Sequence, residues 1–309
     1  MDKVSFVIPV YNEEENVRIL FNEIKSVMKK TKYDYEVIFV DDGSTDNTLK
    51  NLRSLSRSEK NLQIIPFRRN FGKTSAMSAA LDNIKGKYII TMDGDLQNDP
   101  RDVPRILKEL KDHDVVSGWR RNRKDPFTKR CPSRAFNWLA RKMTGVKVHD
   151  FDCMLKGYRS EVLKDLKIYG DMHRYMLPLV SMRGFTISEI EVNHRKRKHG
   201  RSKFGFGRIV RGMLDLFYIK FWLDFSTRPL HLFGTLGAFL LGVGTIISIY
   251  KIFYQFLWLG QEFIVTPLFM LAVLFLILGI MFISFGFLGE IMIRTYYETT
   301  GKKPYELKK

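Results

Sequence analysis

Cysteine is nearly missing from this chain: Cys131 and Cys153 are the two in 309 residues. Two thiols cannot staple a domain of this size, and in the cytoplasmic setting argued below free thiols are expected, not a disulfide. Acidic residues are scarce as well, 33 against 51 Lys and Arg, for a net charge of +18. Only seven basic and four acidic residues lie from Arg228 onward, so the preceding part carries about +15. A domain so basic expects an anionic partner: nucleic acid, acidic headgroups or a phosphorylated substrate. Internal repeats and low-complexity segments are absent, which excludes a repeat array. The start, Met1-Asp2-Lys3, leads into an apolar stretch broken by Pro9 and followed by Asn12-Glu13-Glu14-Glu15, so no signal peptide is expected. Long uncharged apolar runs are also missing from the first 225 or so residues, which read as a soluble domain.

Two such runs do close the chain, Leu230 to Tyr250 and Pro267 to Leu288. Crossing a bilayer core takes about 20 apolar residues, and both are long enough. Arg228 precedes the first run and Arg294 follows the second, whereas the connection, with Trp258, Gln261 and Glu262, has Lys251 as its only basic residue. The positive-inside rule then puts both ends of the hairpin, and the soluble domain, in the cytoplasm. The expected organisation is a cytoplasmic domain over 1–203, a juxtamembrane region over 204–227, a transmembrane hairpin over 228–293 with spans near 230–250 and 267–288, and a cytoplasmic tail over 294–309. Between Lys203 and Asp224, Phe204, Phe206, Ile209, Val210, Met213, Leu214, Phe217 and Phe221 share one face among basic residues. That pattern suits a helix lying in the membrane interface, with an ordinary core helix as the alternative. Gly234, Ala238 and Gly242 recur every fourth residue, a stripe suited to close helix packing and to helix-mediated homo-oligomers.

Within the soluble part, apolar runs of strand type occur at Val4–Val10, Tyr35–Val40, Leu62–Phe67, Tyr88–Met92 and Val115–Val116. Helical spacing separates them: Val17, Leu20, Phe21, Ile24, Val27 and Met28 first, then Leu49, Leu52 and Leu55 behind a Ser44 or Thr45 cap, then Ala76, Ala79, Ala80 and Leu81. Strands and helices in alternation predict an α/β fold with a mainly parallel sheet covered on both faces. Ligands in such folds sit beyond the carboxyl ends of the strands. Both acidic clusters of the chain fall at such ends.

Asp93-Gly94-Asp95, with Gln97 beyond, gathers hard oxygen ligands suited to Mg²⁺ or Mn²⁺ holding a diphosphate; a solvated turn is the bland alternative. An EF-hand is excluded, because Asn98 and Pro104 stand where the glycine and bidentate glutamate belong. Asp41-Asp42-Gly43-Ser44-Thr45-Asp46 reads either as a turn and helix cap or, beside Pro9-Val10-Tyr11-Asn12-Glu13, as a nucleoside pocket with Tyr11 against the base. Two basic stretches remain, Arg120 to Arg134 and His194 to Lys203, which suit either a solvated face or a lipid phosphate. Charge alone would fit nucleic acid, but nucleic acid explains neither the hairpin nor the acidic turn.

The ordered series V-I-P-V-Y-N-E, V-D-D-G-S-T-D, M-D-G-D-L-Q and R-K-R-K-H-G-R-S-K with a terminal hairpin resembles, over nearly the whole chain, the family-2 glycosyltransferases that load polyprenyl phosphate, of the dolichol-phosphate mannose synthase and bactoprenol glucosyltransferase kind. The resemblance implies a GT-A (Rossmann-like) fold, a nucleotide-diphosphate sugar donor, Mg²⁺ or Mn²⁺, and inverting transfer to undecaprenyl or dolichyl phosphate. UDP-sugars are favoured and GDP-mannose is the second choice. It assigns Pro9, Tyr11, Glu13, Val40, Asp42, Asp93 and Gly94 to the nucleotide and Asp93, Asp95 and Gln97 to the metal. Arg120, Arg130, Ser133, Arg197 and Lys203 fall to the acceptor phosphate or diphosphate, and Asp95 and Asp150 to catalysis. Asp152 stands where relatives often have Asn, and Gly94 where many have Ala. The Q-x-x-R-W signature of processive synthases is absent, which speaks against a polymerase. The rival reading is a non-catalytic, membrane-tethered adaptor that binds anionic lipid.

Overall fold

The computed structural model describes residues 2–121, 127–164, 172–196, 228–254 and 265–300, with single positions in 166–168 and 217–225; along 127–135 the only side chain described is Ser133. Arg197, Lys203, most of 204–227, the hairpin connection and the end of the tail lie outside the described residues, as does the Arg130 side chain.

The five apolar runs form β1 (Lys3–Val10), β2 (Asp34–Asp41), β3 (Leu62–Pro66), β4 (Tyr88–Thr91) and β5 (Val115–Trp119). Two more strands, β6 (Lys156–Arg159) and β7 (Ile187–Glu191), complete a seven-stranded sheet of order β3-β2-β1-β4-β6-β5-β7. Every pairing is parallel except those of β6, which runs antiparallel to β4 and β5. The sheet is thus mainly parallel, as expected. From β1 the chain winds outward through β2 to β3, then returns to place β4 on the other side of β1. That reversal opens a crevice between the carboxyl ends of β1 and β4, where doubly wound sheets bind ligands.

Helices α1 (Val17–Met28), α2 (Thr48–Ser56), α3 (Lys73–Leu81), α4 (Val103–Glu109), α5 (Phe127–Thr144), α6 (Ser160–Leu163) and α7 (Met176–Met182) join the strands. α1 buries Val17, Leu20, Phe21, Ile24 and Met28, one stripe at helical spacing, against core residues that include Phe6, Ile8 and Phe39. Each large apolar side chain so buried stabilises the fold by about 1.5–3 kcal/mol; Phe21→Ala would cost about 3–5 kcal/mol through the cavity it leaves. α2 begins later than its expected caps: Asn47 precedes its first turn, and Ser44 and Thr45 tie loops together instead.

A second compact unit, Tyr218–Lys309, contains α8 (Pro229–Phe253) and α9 (Pro267–Thr300). Pro229–Phe253 and Pro267–Ile293 are long and apolar enough to cross a membrane, with mean hydropathies of 2.0 and 2.9. Phe239, Ile246 and Met292 expose 65%, 68% and 71% of their surface, an arrangement suited to lipid and not to water. The two helices touch backbone to backbone. A methyl added at Gly237 would lie 2.6 Å from the Gly279 carbonyl oxygen, and one at Gly244 2.8 Å from that of Ala272. The contact stripe is therefore Gly237/Gly244, not the expected Gly234/Ala238/Gly242. Ala238 and Gly242 are exposed, and an added methyl at Gly242 meets nothing within 4 Å.

Candidate active site

The first acidic cluster is knitted across two loops. β1 and β2 run in register, Pro9 beside Val40 and Val10 beside Asp41, so both chains leave the sheet together. Asn12 then takes a left-handed turn (φ 57°). Its N–H donates to Ser44 Oγ (2.9 Å) and its side-chain oxygen accepts from the Thr45 N–H (2.8 Å). The Glu13 N–H donates to Thr48 Oγ1 (2.8 Å), and the Glu14 carboxylate accepts from the backbone and side chain of Asn47 (both 2.9 Å). Pro9, Tyr11 and Glu13 are half-buried along this rim, whereas the Val40 side chain is fully buried, leaving only its backbone to meet a ligand.

Asp42 reaches to a third strand end. Its carboxylate accepts from the Phe71 N–H (2.7 Å) and the Gly72 N–H (3.0 Å), which fixes the turn that opens α3. Gly43 (φ 72°) permits the approach, because a side chain there would collide with the Arg69 backbone. The clamp delivers Lys73, first residue of α3, onto the carboxylate of Asp93 at the end of β4. The Asp93 N–H donates to Asn98 Oδ1 (3.0 Å). The surrounding protein disfavours charge on Asp93, but the Lys73 ammonium, with Arg120 and His173 farther off, outweighs this and holds the carboxyl below its ordinary range. Thr74 Oγ1 lies 2.7 Å from His173 Nδ1, so a 3₁₀ turn at Met172–Tyr175 closes this side of the crevice.

The second acid of the turn is more enclosed. Asp95 is 6% exposed and accepts from the Gln97 N–H (3.1 Å), while Leu96 takes a left-handed conformation (φ 61°). Gly94 fits against β1: an added methyl would stand 2.6 Å from Val10 Cγ1, so an Ala there needs that side chain to give way. The Gln97 carbonyl accepts from the Arg195 N–H (2.9 Å), mooring the segment after β7 beside the acidic turn.

Arg120, immediately beyond β5, and Asp150 pair with one another. Nε and one Nη of Arg120 donate to the two carboxylate oxygens at 2.7 and 2.8 Å, with side chains 11% and 4% exposed. The Asp150 carboxylate keeps this guanidinium charged against a burial that disfavours it, raising its pKa above the ordinary value. The turn carrying Asp150 is held from both sides. Glu189 of β7 accepts from its backbone, and the buried Lys156 ammonium donates to the carbonyls of Phe151 (3.0 Å) and Cys153. Burial lowers the Lys156 pKa and pushes the Cys153 thiol up to about 11, so that thiol is inert at neutral pH. Asp152 is half-buried. Ser133, half-buried, stands one turn beyond Arg130 along α5.

Of the sequence-read residues, Asp42, Asp93, Asp95, Arg120 and Asp150 converge on the carboxyl edge of the sheet. Lys73, His173, Lys156 and Glu189 were not foreseen. Lys73 alone had a legible signal, since it follows the end of β3 as the acidic clusters follow β2 and β4. The acidic turn offers hard oxygens fit for Mg²⁺ or Mn²⁺. Among the described residues, however, no three His, Cys, Asp or Glu side chains gather as a closed metal cage, so phosphate oxygens would have to complete the shell.

A switch-point crevice lined by carboxylates and cations defines a GT-A-type α/β domain. The family model "Glycosyl transferase family 2" matches residues 5–167. Dodecaprenyl-phosphate galacturonate synthase of Rhizobium johnstonii is 40% identical over 98% of this chain and 91% of its own length. Undecaprenyl-phosphate 4-deoxy-4-formamido-L-arabinose transferases of Aeromonas hydrophila (32%, covering 98% of this chain and 92% of that one) and Proteus mirabilis (33%, covering 100% and 94%) are also similar. Among solved structures, glucosyl-3-phosphoglycerate synthase of Mycobacterium tuberculosis, in complex with Mn²⁺, UDP-glucose and glycerol 3-phosphate, shares the fold at a TM-score of 0.57 and 18% identity, over 71% of this chain and 80% of that one. The chain belongs to glycosyl transferase family 2. With its two apolar helices and these relatives, it is a membrane protein.

Proposed function

We propose that this chain transfers a sugar, with inversion, from a nucleotide-diphosphate sugar to a membrane polyprenyl phosphate, producing a polyprenyl-phosphate-linked monosaccharide for later glycan assembly. The observation that carries the reading is the extent of the likeness. Relatives named for polyprenyl-phosphate sugars match 98% or more of the chain, a share too large to omit either apolar helix. No feature of the site favours the adaptor reading, which needs no convergent carboxylates.

In this reading Pro9, Tyr11, Glu13, Val40 and Asp42 receive the nucleoside, with Asp93 and Gly94 beside its diphosphate. Asp93, Asp95 and Gln97 hold Mg²⁺ or Mn²⁺; when bound, the cation supplies Lewis-acid neutralisation of the nucleoside diphosphate leaving group. Arg120 presents the edge of its guanidinium not engaged by Asp150 to the acceptor phosphate, joined by Arg130, Ser133, Arg197 and Lys203. A lipid monophosphate, with a second pKa of about 6, is already largely ionised, so it needs orientation more than a base. Asp150 orients Arg120 and faces the positive charge developing on the sugar. UDP-sugars are the favoured donors, with GDP-mannose second. The basic flanks Arg228 and Arg294 orient a two-span hairpin with the catalytic domain over 1–203 on the cytoplasmic face of the cell membrane. The Gly234/Ala238/Gly242 stripe, exposed at Ala238 and Gly242, supports homo-oligomers.

The test is to incubate purified protein with Mg²⁺ or Mn²⁺, a polyprenyl phosphate and a panel of nucleotide sugars, and to read the lipid product by mass. One sugar-linked lipid phosphate is expected. Salt-sensitive liposome binding without turnover of any donor contradicts the reading.

A further inference from the structure

β7 is the edge strand beside β5, and Glu189 and Glu191 stand two residues apart on it, on one face. Both carboxylates engage the segments that carry the site. Glu191 accepts from Arg121 (2.7 Å), whose guanidinium lies 5.6 Å from the Trp119 ring centroid. Glu189 makes three contacts with consecutive residues. Its Oε1 accepts from the His149 N–H (2.7 Å) and the Asp150 N–H (3.1 Å), and Oε2 lies 2.7 Å from His149 Nδ1. The imidazole stacks on Trp119 with centroids 4.2 Å apart and planes at 17°. The Glu189 side chain is 10% exposed, against 50% for His149, so the carboxylate itself is held largely away from water. Register pairs Ser117 with Glu189 and Trp119 with Glu191, so the anchor stands just behind the strand end that delivers Arg120.

We propose that Glu189 is a positioning residue for the transfer reaction, holding the His149–Asp150 turn by its backbone amides so that Asp150 meets Arg120 edge to edge. This rests on the reading that Asp150 and Arg120 belong to the transfer site. The anchor needs an oxygen, not a charge. Both amides donate to one oxygen, and glutamine offers the same oxygen while its NH₂ faces the Nδ1 of a neutral imidazole. Alanine removes the acceptor and frees the turn, and a displacement of about 1 Å at a reacting group costs on the order of 100-fold in rate.

The test uses the full chain in lipid nanodiscs. Glu189→Ala is expected to lower kcat by about 10- to 100-fold, while Glu189→Gln stays within about threefold. Glu189→Ala is also expected to add little loss in an Asp150→Ala background, because the two act through one element. Wild-type kcat in Glu189→Ala, equal impairment of the Ala and Gln variants, or fully multiplicative losses would each overturn the proposal. Should the Ala variant not fold, Glu189→Asp, one methylene too short to reach the two amides, takes its place with the same expected loss. Amide hydrogen exchange at His149 and Asp150 needs no substrate. Protection retained in Gln and lost in Ala (or Asp) is expected, and unchanged protection in all variants contradicts the anchor even if wild-type turnover, and with it the proposed function, fails.

Discussion

Replacing Asp150 by alanine leaves the Arg120 guanidinium, whose side chain is 11% exposed, without the carboxylate that takes two of its N–H bonds. Breaking a buried pair by removing one member costs about 3–5 kcal/mol, most of it the penalty of an uncompensated charge. For a unit of this size, where 1 kcal/mol moves Tm by about 2–4 °C, the melting temperature should fall on the order of 10 °C. Removing both charges in Arg120→Met/Asp150→Leu should recover most of that loss, since neither member of the pair is then left buried without its partner. Near-ultraviolet circular dichroism in detergent reports the transition, with Trp119 next to Arg120 as a local probe. Asp2→Ala, which breaks an ion pair whose side chains are 58% and 45% exposed, is the control and should leave Tm unchanged. A loss under about 1 kcal/mol in Asp150→Ala, or a double variant as unstable as the sum of the singles, would mean that the pair is not held as buried ions.

Asp93, Asp99 and Asp114 ionise more readily folded than unfolded. Their contribution is therefore full above the unfolded value of 3.8 and is lost as pH falls through the lower folded values. Asp102 runs the other way: burial raises its pKa, so its contribution is full below 3.8 and declines as pH rises through the folded value. Denaturation midpoints between pH 7 and 3 should show a shallower acid limb in Asp99→Asn but not in Asp102→Asn; identical limbs contradict this. In the hairpin, Gly237→Val must push against the Gly279 backbone and should lower the detergent melting temperature by several degrees, whereas Gly242→Val meets open space and should not. Equal effects would mean that α8 and α9 pack through a different face.

Strands β1 to β5 were legible because each is an apolar run closed by turn residues, mostly or wholly buried except in the half-buried edge strand β3. β6 was not: Lys156-Gly157-Tyr158-Arg159 is four residues long, has no apolar period, and owes its place to pairing between β4 and β5. β7, Ile-Ser-Glu-Ile-Glu at the sheet edge, has no regular apolar alternation, and its glutamates serve neighbouring loops. The acidic clusters were legible because type and position coincide at strand ends. Pairing was not. Arg120 and Asp150 lie 30 residues apart and were assigned to separate tasks, and only the fold brings their side chains to 2.7 Å. The hairpin's length and apolarity could be read directly, but its contact face could not, because both small-residue stripes have the same chemistry and only the rotation of α8 distinguishes them.

The most direct test of the proposed transfer site is sugar-lipid formation in membranes holding equal amounts of wild-type protein and Asp95→Ala, given donor, polyprenyl phosphate and Mg²⁺ or Mn²⁺. Product is expected from wild type, none in excess chelator, and none from Asp95→Ala although that variant still inserts. Undiminished product from Asp95→Ala, or from wild type in chelator, would contradict the proposed site.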